Sequence, residues 1–153
     1  MGSREPEMAA TAWRSLCAAL LLPLLAACGN GALGDAQQQA IAELGKQLPA
    51  PYRDGLIVDA VHRHGDDLVV VIRFPDASVA MAKAKPELFA ALQQDEQQAM
   101  SELCDAPALA PVLAARGGVR RRFIDANGAQ FFEVALKAAD CGSQPMPPQE
   151  LTP

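Results

Sequence analysis

Two turns constrain the fold of this chain more than anything else in it. Gly65-Asp66 and Asp125-Ala126-Asn127-Gly128 are each flanked by Val- and Ile-containing runs of strand character, so two β-hairpins are expected, over 56–64 with 67–74 and over 119–124 with 130–137. In the first hairpin Leu68, Val69, Val70, Val71 and Ile72 are apolar on both faces, which suits a central strand with helix packed on it. Pro86 opens a helix at its favoured first turn. Leu88, Phe89, Leu92, Ala99, Met100 and Leu103 fall on one face of that helix, and Gln93, Gln94, Asp95, Gln97, Gln98 and Glu102 mostly on the other. Proline inside a helix costs about 3 kcal/mol, so the next helix is short, carries Pro111 in its own first turn and ends before Gly117-Gly118. Upstream, Asp35 with Gln38 forms a capping box, and Ile41, Leu44 and Leu48 continue at helical spacing to Pro49, giving a helix over 35–48. Residues 78–81 read as a short strand. The order helix, hairpin, one or two helices, second hairpin predicts an α+β domain with an antiparallel-rich sheet covered by helices.

The N-terminal stretch is of another kind. Arg14, the apolar run from Leu16 to Leu25 and then Ala26-Ala27 supply the basic, apolar and small-residue parts of a secretory leader over 1–27. Leu25-Ala26-Ala27-Cys28 resembles the lipobox of bacterial lipoproteins, which implies lipid on Cys28 and attachment to a membrane through it. Glu5 and Glu7 are foreign to such a leader, and a start at Met8 restores a normal one. A spanning helix wants about 20 apolar residues, whereas Pro23 interrupts this run and Gly29-Asn30-Gly31 ends it. By resemblance to lipoprotein sorting, Gly29-Asn30 lacks a retaining aspartate, which implies the outer membrane, facing the periplasm, in a Gram-negative cell. Residues 28–34 read as a flexible glycine-rich tether, 35–141 as one domain, and 142–153, with four prolines, as a disordered or extended tail.

Cysteine usage follows from this address. Cys17 leaves with the leader and Cys28 takes lipid, so Cys104 and Cys141 remain and are expected to pair in an oxidising compartment. No CxxC and no nearby histidine supports metal binding by that pair. Removing 1–27 takes away two basic and two acidic residues, so net charge stays at −5, which argues against general nucleic-acid binding.

Cys104-Asp105-Ala106-Pro107-Ala108-Leu109, Val112-Leu113, Gly117-Gly118-Val119, Phe123-Ile124-Asp125-Ala126-Asn127-Gly128 and Asp140-Cys141 together resemble small exported bacterial proteins of the quorum-sensing-regulated virulence factor type. Leu48-Pro49 and Asp54-Gly55-Leu56 fit the same resemblance. It implies an α+β domain with a Cys104–Cys141 disulfide and brings no established activity.

Candidate chemistry is sparse. His62 and His64 share a strand face beside Asp66 and Asp67, a partial ligand set without a third fixed ligand, so no metal is expected. Arg116, Arg120, Arg121 and Arg122 form the only dense basic cluster, a candidate contact patch for lipid headgroups or an acidic partner. The simpler reading is charge that keeps an exposed edge strand from pairing, with Glu133 across the hairpin. No catalytic motif and no cofactor motif is present, and the carboxylates of Asp54, Asp59, Asp66 and Asp67 are scattered near turns. The sequence therefore points to a lipid-anchored envelope protein with a non-catalytic binding or assembly role, virulence-associated if the resemblance holds, and an envelope protein as partner. A pilotin-like chaperone for a secretion subunit is the alternative, with an apolar groove for a partner helix as its signature; a hydrolase, with a deep polar pocket, comes third.

Overall fold

The computed structural model describes residues 28–142. The leader over 1–27 and the tail residues 143–153 lie outside the described residues. The elements run α1 (Cys28–Gly45), β1 (Ala50–Pro51), β2 (Ile57–His64), β3 (Asp67–Arg73), α2 (Val79–Ala84), α3 (Pro86–Ala99), α4 (Ala110–Ala114), β4 (Gly118–Ile124) and β5 (Gln130–Lys137). Turns of 3-10 helix at Arg53–Gly55, Met100–Asp105 and Ala138–Gly142 fill the joints. The strands form one sheet in the order β1-β2-β3-β4-β5. Both hairpins are antiparallel, as is β1 on β2, while β3 and β4 are parallel because a helical crossover joins the two hairpins. The α+β reading with an antiparallel-rich sheet holds, and β3 is the central strand.

Strand alternation gives the sheet two chemically different faces. On one, Leu68 and Ile72 of β3, Val119 and Phe123 of β4, and Phe132, Val134 and Leu136 of β5 form the core with Met100, Leu109 and Val112 from the helical side. Aromatic contacts seat α3 there: Phe89 stacks on Phe131 at 5.0 Å, and Phe131 meets Phe74 edge-on at 5.1 Å. The opposite face is laced with ion pairs. Asp59 takes two hydrogen bonds from Arg73. Asp67 accepts from Arg120 Nε at 2.6 Å and from Lys137 Nζ at 2.8 and 2.9 Å, and Glu133 accepts from Arg120 and Arg122.

These ion pairs make acid stability predictable in sign. Burial pushes the Asp67 carboxyl up, but the hydrogen bonds from Lys137 and Arg120 outweigh it and hold Asp67 below its ordinary 3.8. Glu133 is held below 4.5 in the same way, burial being offset by Arg122 and Arg120. A depressed native pKa adds stability that is present above the unfolded values and lost as pH falls through the native ones. The urea midpoint should therefore drop as pH is lowered through the region below about 4.5, and Asp67→Asn should flatten that dependence.

Three expectations are corrected. Residues 28–34 are the first two turns of α1 rather than a tether, and Asp35 sits within the helix rather than capping it. Tertiary contact explains this: Leu33 packs toward Gly117, and Gln37 donates to the Gly65 carbonyl at 3.2 Å. Residues 79–84 are helical, not a strand, because the Ser78 hydroxyl caps them by accepting from the Met81 amide. Leu88, assigned to the buried face, is 60% exposed, while Glu96 is buried. Pro111 does lie in the first turn of its own short helix, as expected.

Gly117-Gly118 has a steric reason. A Cβ on Gly117 would meet Leu33 at 2.6 Å and Val112 at 2.7 Å, and one on Gly118 would collide with the Asp67 carboxylate. Each sheet edge is covered in part, on one side by the two-residue β1 with Pro51 against Ile57 and Val58 and on the other by Gln97 against Ala135. The Gln97 amide pairs with both backbone groups of Ala135, at 2.9 and 3.3 Å, as a neighbouring strand would. Cys104 and Cys141 form a disulfide, Cα to Cα 5.5 Å, tying the turn after α3 to the turn after β5.

Candidate functional site: an apolar groove over a buried ion cluster

The helices do not cover their whole face of the sheet. Between α1 and the segment from Leu103 to Pro111 an open groove of about 690 Å³ exposes part of the sheet. One wall is α1 and the turn after it, where Gln39, Glu43 and then Gln47 make a polar rim and Ala40 and Leu44 lie inside. The other wall is built from Ala106, Pro107, Ala108 and Pro111, small or rigid residues that leave space where larger side chains would fill it. The floor is Val58 and Val61 of β2, Val70 of β3 and Arg121 of β4, and Leu48, Ala50 and Tyr52 line it further.

Arg121 is the anomaly in this lining. Its strand neighbours across the sheet are Val70 and Val134, and it is only 8% exposed. Burying a guanidinium is expensive unless it is paired, and the partner comes from α3. Glu96, 1% exposed, receives Arg121 Nη1 at 3.3 Å and the Tyr52 hydroxyl at 2.9 Å on Oε2, and Arg53 Nε at 2.8 Å on Oε1. Both guanidiniums also lie against the Tyr52 ring, 5.4 and 5.5 Å from its centroid. Burial, only partly offset by the Arg121 charge, holds the Tyr52 phenol above its usual range, so it donates as a neutral group. The hydrogen bond to Glu96 holds Arg53 still more firmly protonated than an ordinary arginine. The cluster carries two positive charges and one negative.

The predicted basic patch is divided by the strand. Arg121 points to the groove side, while Arg120 and Arg122 pair with Asp67 and Glu133 on the other face. Arg116 is exposed at the end of α4 with φ 65°. β4 lies between β3 and β5, so the reading of these arginines as guards of an exposed edge is corrected. His62 and His64 are exposed, Asp67 is engaged by Arg120 and Lys137, and the described residues contain no group of three or more His, Cys, Asp or Glu able to hold a metal. Cys28 opens α1.

Glu96 and the separate role of Arg121 escaped the sequence reading, although both left a signal. Glu96 lies four residues after Leu92 and four before Met100, on the apolar stripe of its helix. Arg121 alternates with Val119 and Phe123 in a strand whose period is two.

No protein-family profile matches the sequence and no curated relative matches it significantly. Its fold is shared by known structures. A protein of Pseudomonas aeruginosa proposed to be secreted superposes with TM-score 0.57 at 11% identity, covering 74% of this chain and 96% of that one. The pilotin EpsS of the type 2 secretion system of Vibrio vulnificus superposes with TM-score 0.53 at 19% identity, covering 77% of this chain and 96% of the pilotin. The chain therefore shares its α+β fold with a secretion pilotin and with a protein proposed to be secreted.

Proposed function

We propose that this protein is a pilotin-like lipoprotein, anchored through Cys28 in the outer membrane and facing the periplasm, whose groove receives an amphipathic helix of a secretion subunit. The observation that carries this reading is the groove: an apolar trough in the helical layer, floored by Val58, Val61 and Val70. Helix-in-groove recognition needs that shape and that chemistry. A catalytic pocket needs converging polar groups, and here the rim Glu43 is turned toward Lys46 at 2.6 Å while Tyr52 is engaged by Glu96. The shared fold with EpsS supports the same reading.

In this reading α1 joins the anchor directly to the groove. Gln39 lies eleven residues from Cys28, about 16 Å along a helix axis at 1.5 Å per residue. The groove is thereby held near the membrane on a helical strut. Val61→Arg places a charge on the groove floor, with a flexible stem that can reach solvent. It should weaken capture of the secretion subunit by about tenfold or more, the loss expected from disrupting one central apolar contact. Thermal unfolding of the variant should stay close to wild type. Undiminished capture by a folded Val61→Arg protein would contradict the proposal.

A further inference from the structure

We infer that Arg121 makes the groove selective for a helix bearing one carboxylate in the middle of its apolar stripe, an inference that rests on the helix-binding reading above. A guanidinium has five N–H donors. Arg121 makes one hydrogen bond among the described residues, from Nη1 to Glu96 at 3.3 Å, the longest in the cluster. Glu96 is itself shared with Arg53 and Tyr52. No side-chain nitrogen or oxygen buried beyond solvent lacks a partner among the described residues. The Nε and Nη2 of Arg121 are therefore reachable, and the space they open on is the groove that Arg121 lines.

The electrostatics agree. Two guanidiniums share one carboxylate, which leaves one positive charge in excess beneath an otherwise apolar floor. The only other charged lining residue is Glu43, on the rim and paired with Lys46. A wholly apolar helix seated here would strip water from the free donors of Arg121 and give nothing back. An aspartate or glutamate at that point replaces the water with a charge-assisted, directional contact, which also fixes the helix register. Since the chain as a whole carries net charge −5, the preference is local and not a general attraction for acidic proteins.

The test is selection of amphipathic helices with randomised stripe positions, displayed on phage, against the full mature chain in detergent. Val61→Arg protein serves as the counter-target. The expected result is that selected helices carry Asp or Glu over Asn or Gln at one stripe position, and that Glu→Gln at that position weakens binding about tenfold, the scale of a charge-assisted bond. With Arg121→Met the acidic preference should vanish. Arg121→Lys, which keeps the charge, should retain part of it and serves as the folded control if the methionine variant is unstable. Groove-dependent helices without acidic preference would overturn the role of Arg121 and leave the helix-binding reading standing. Recovery of no helix that Val61→Arg excludes would overturn both, as would groove occupancy by a fatty acid such as palmitate in place of helices.

Discussion

Glu96→Gln should destabilise the protein by about 3–5 kcal/mol, because breaking a buried ion pair strands an uncompensated charge. The charge left behind is Arg121, whose side chain is 10% exposed; Arg53, at 42%, can turn to water. For a domain of this size the expected fall in melting temperature is on the order of 15 °C. The variant also weakens the common acceptor that draws Arg121 to the adjacent pair Tyr52 and Arg53. Pairing it with Arg121→Met separates the two explanations. If the cost arises from the stranded charge, the double variant is more stable than Glu96→Gln alone, a coupling that a double-mutant cycle reads directly. If it arises from lost packing of α3, the second substitution recovers nothing.

The second large effect belongs to the disulfide. Cys104 and Cys141 are 37 residues apart in sequence, and closing a loop of that length lowers unfolded-chain entropy by about 4 kcal/mol at room temperature. The double variant Cys104→Ser/Cys141→Ser should lose stability of that order in urea titration, and wild type under reducing conditions should fall to the same midpoint. A loss below about 1 kcal/mol would mean that the reduced chain keeps the two turns together without the bond. The bridge lies beside the groove, since Leu103 and Ala106 flank it on the lining. Its reduction should therefore loosen the wall formed by Ala106–Leu109 before the central strands open.

Much of this architecture was legible in the residues, and the misses have physical causes. Both hairpins were marked by their turn residues, and the double-sided apolar run 68–72 identified the central strand, now seen between β2 and β4. Pro111 announced its own short helix. What local pattern could not show was tertiary in origin. Glycines at 29, 31 and 34 argue for a tether, yet the segment is helical because Leu33, Ala36 and Ala40 find core contacts. The four arginines looked like one patch because they are close in sequence; strand alternation separates them to opposite sides of the sheet. The groove was foreseen only as the signature of one alternative, since an empty space arises from small residues at Ala106, Ala108 and Ala40 that share no motif. What the pilotin EpsS shares with this chain is the fold.

The most direct measurement is photo-cross-linking in cells, with a benzophenone amino acid placed at Val61 on the groove floor and, as control, at Val71 on the opposite face of the sheet. Position 61 should join the protein to an outer-membrane secretion subunit, at a helical segment of that partner, and position 71 should give no such product. Cross-links from position 71 and none from position 61 would contradict the proposal.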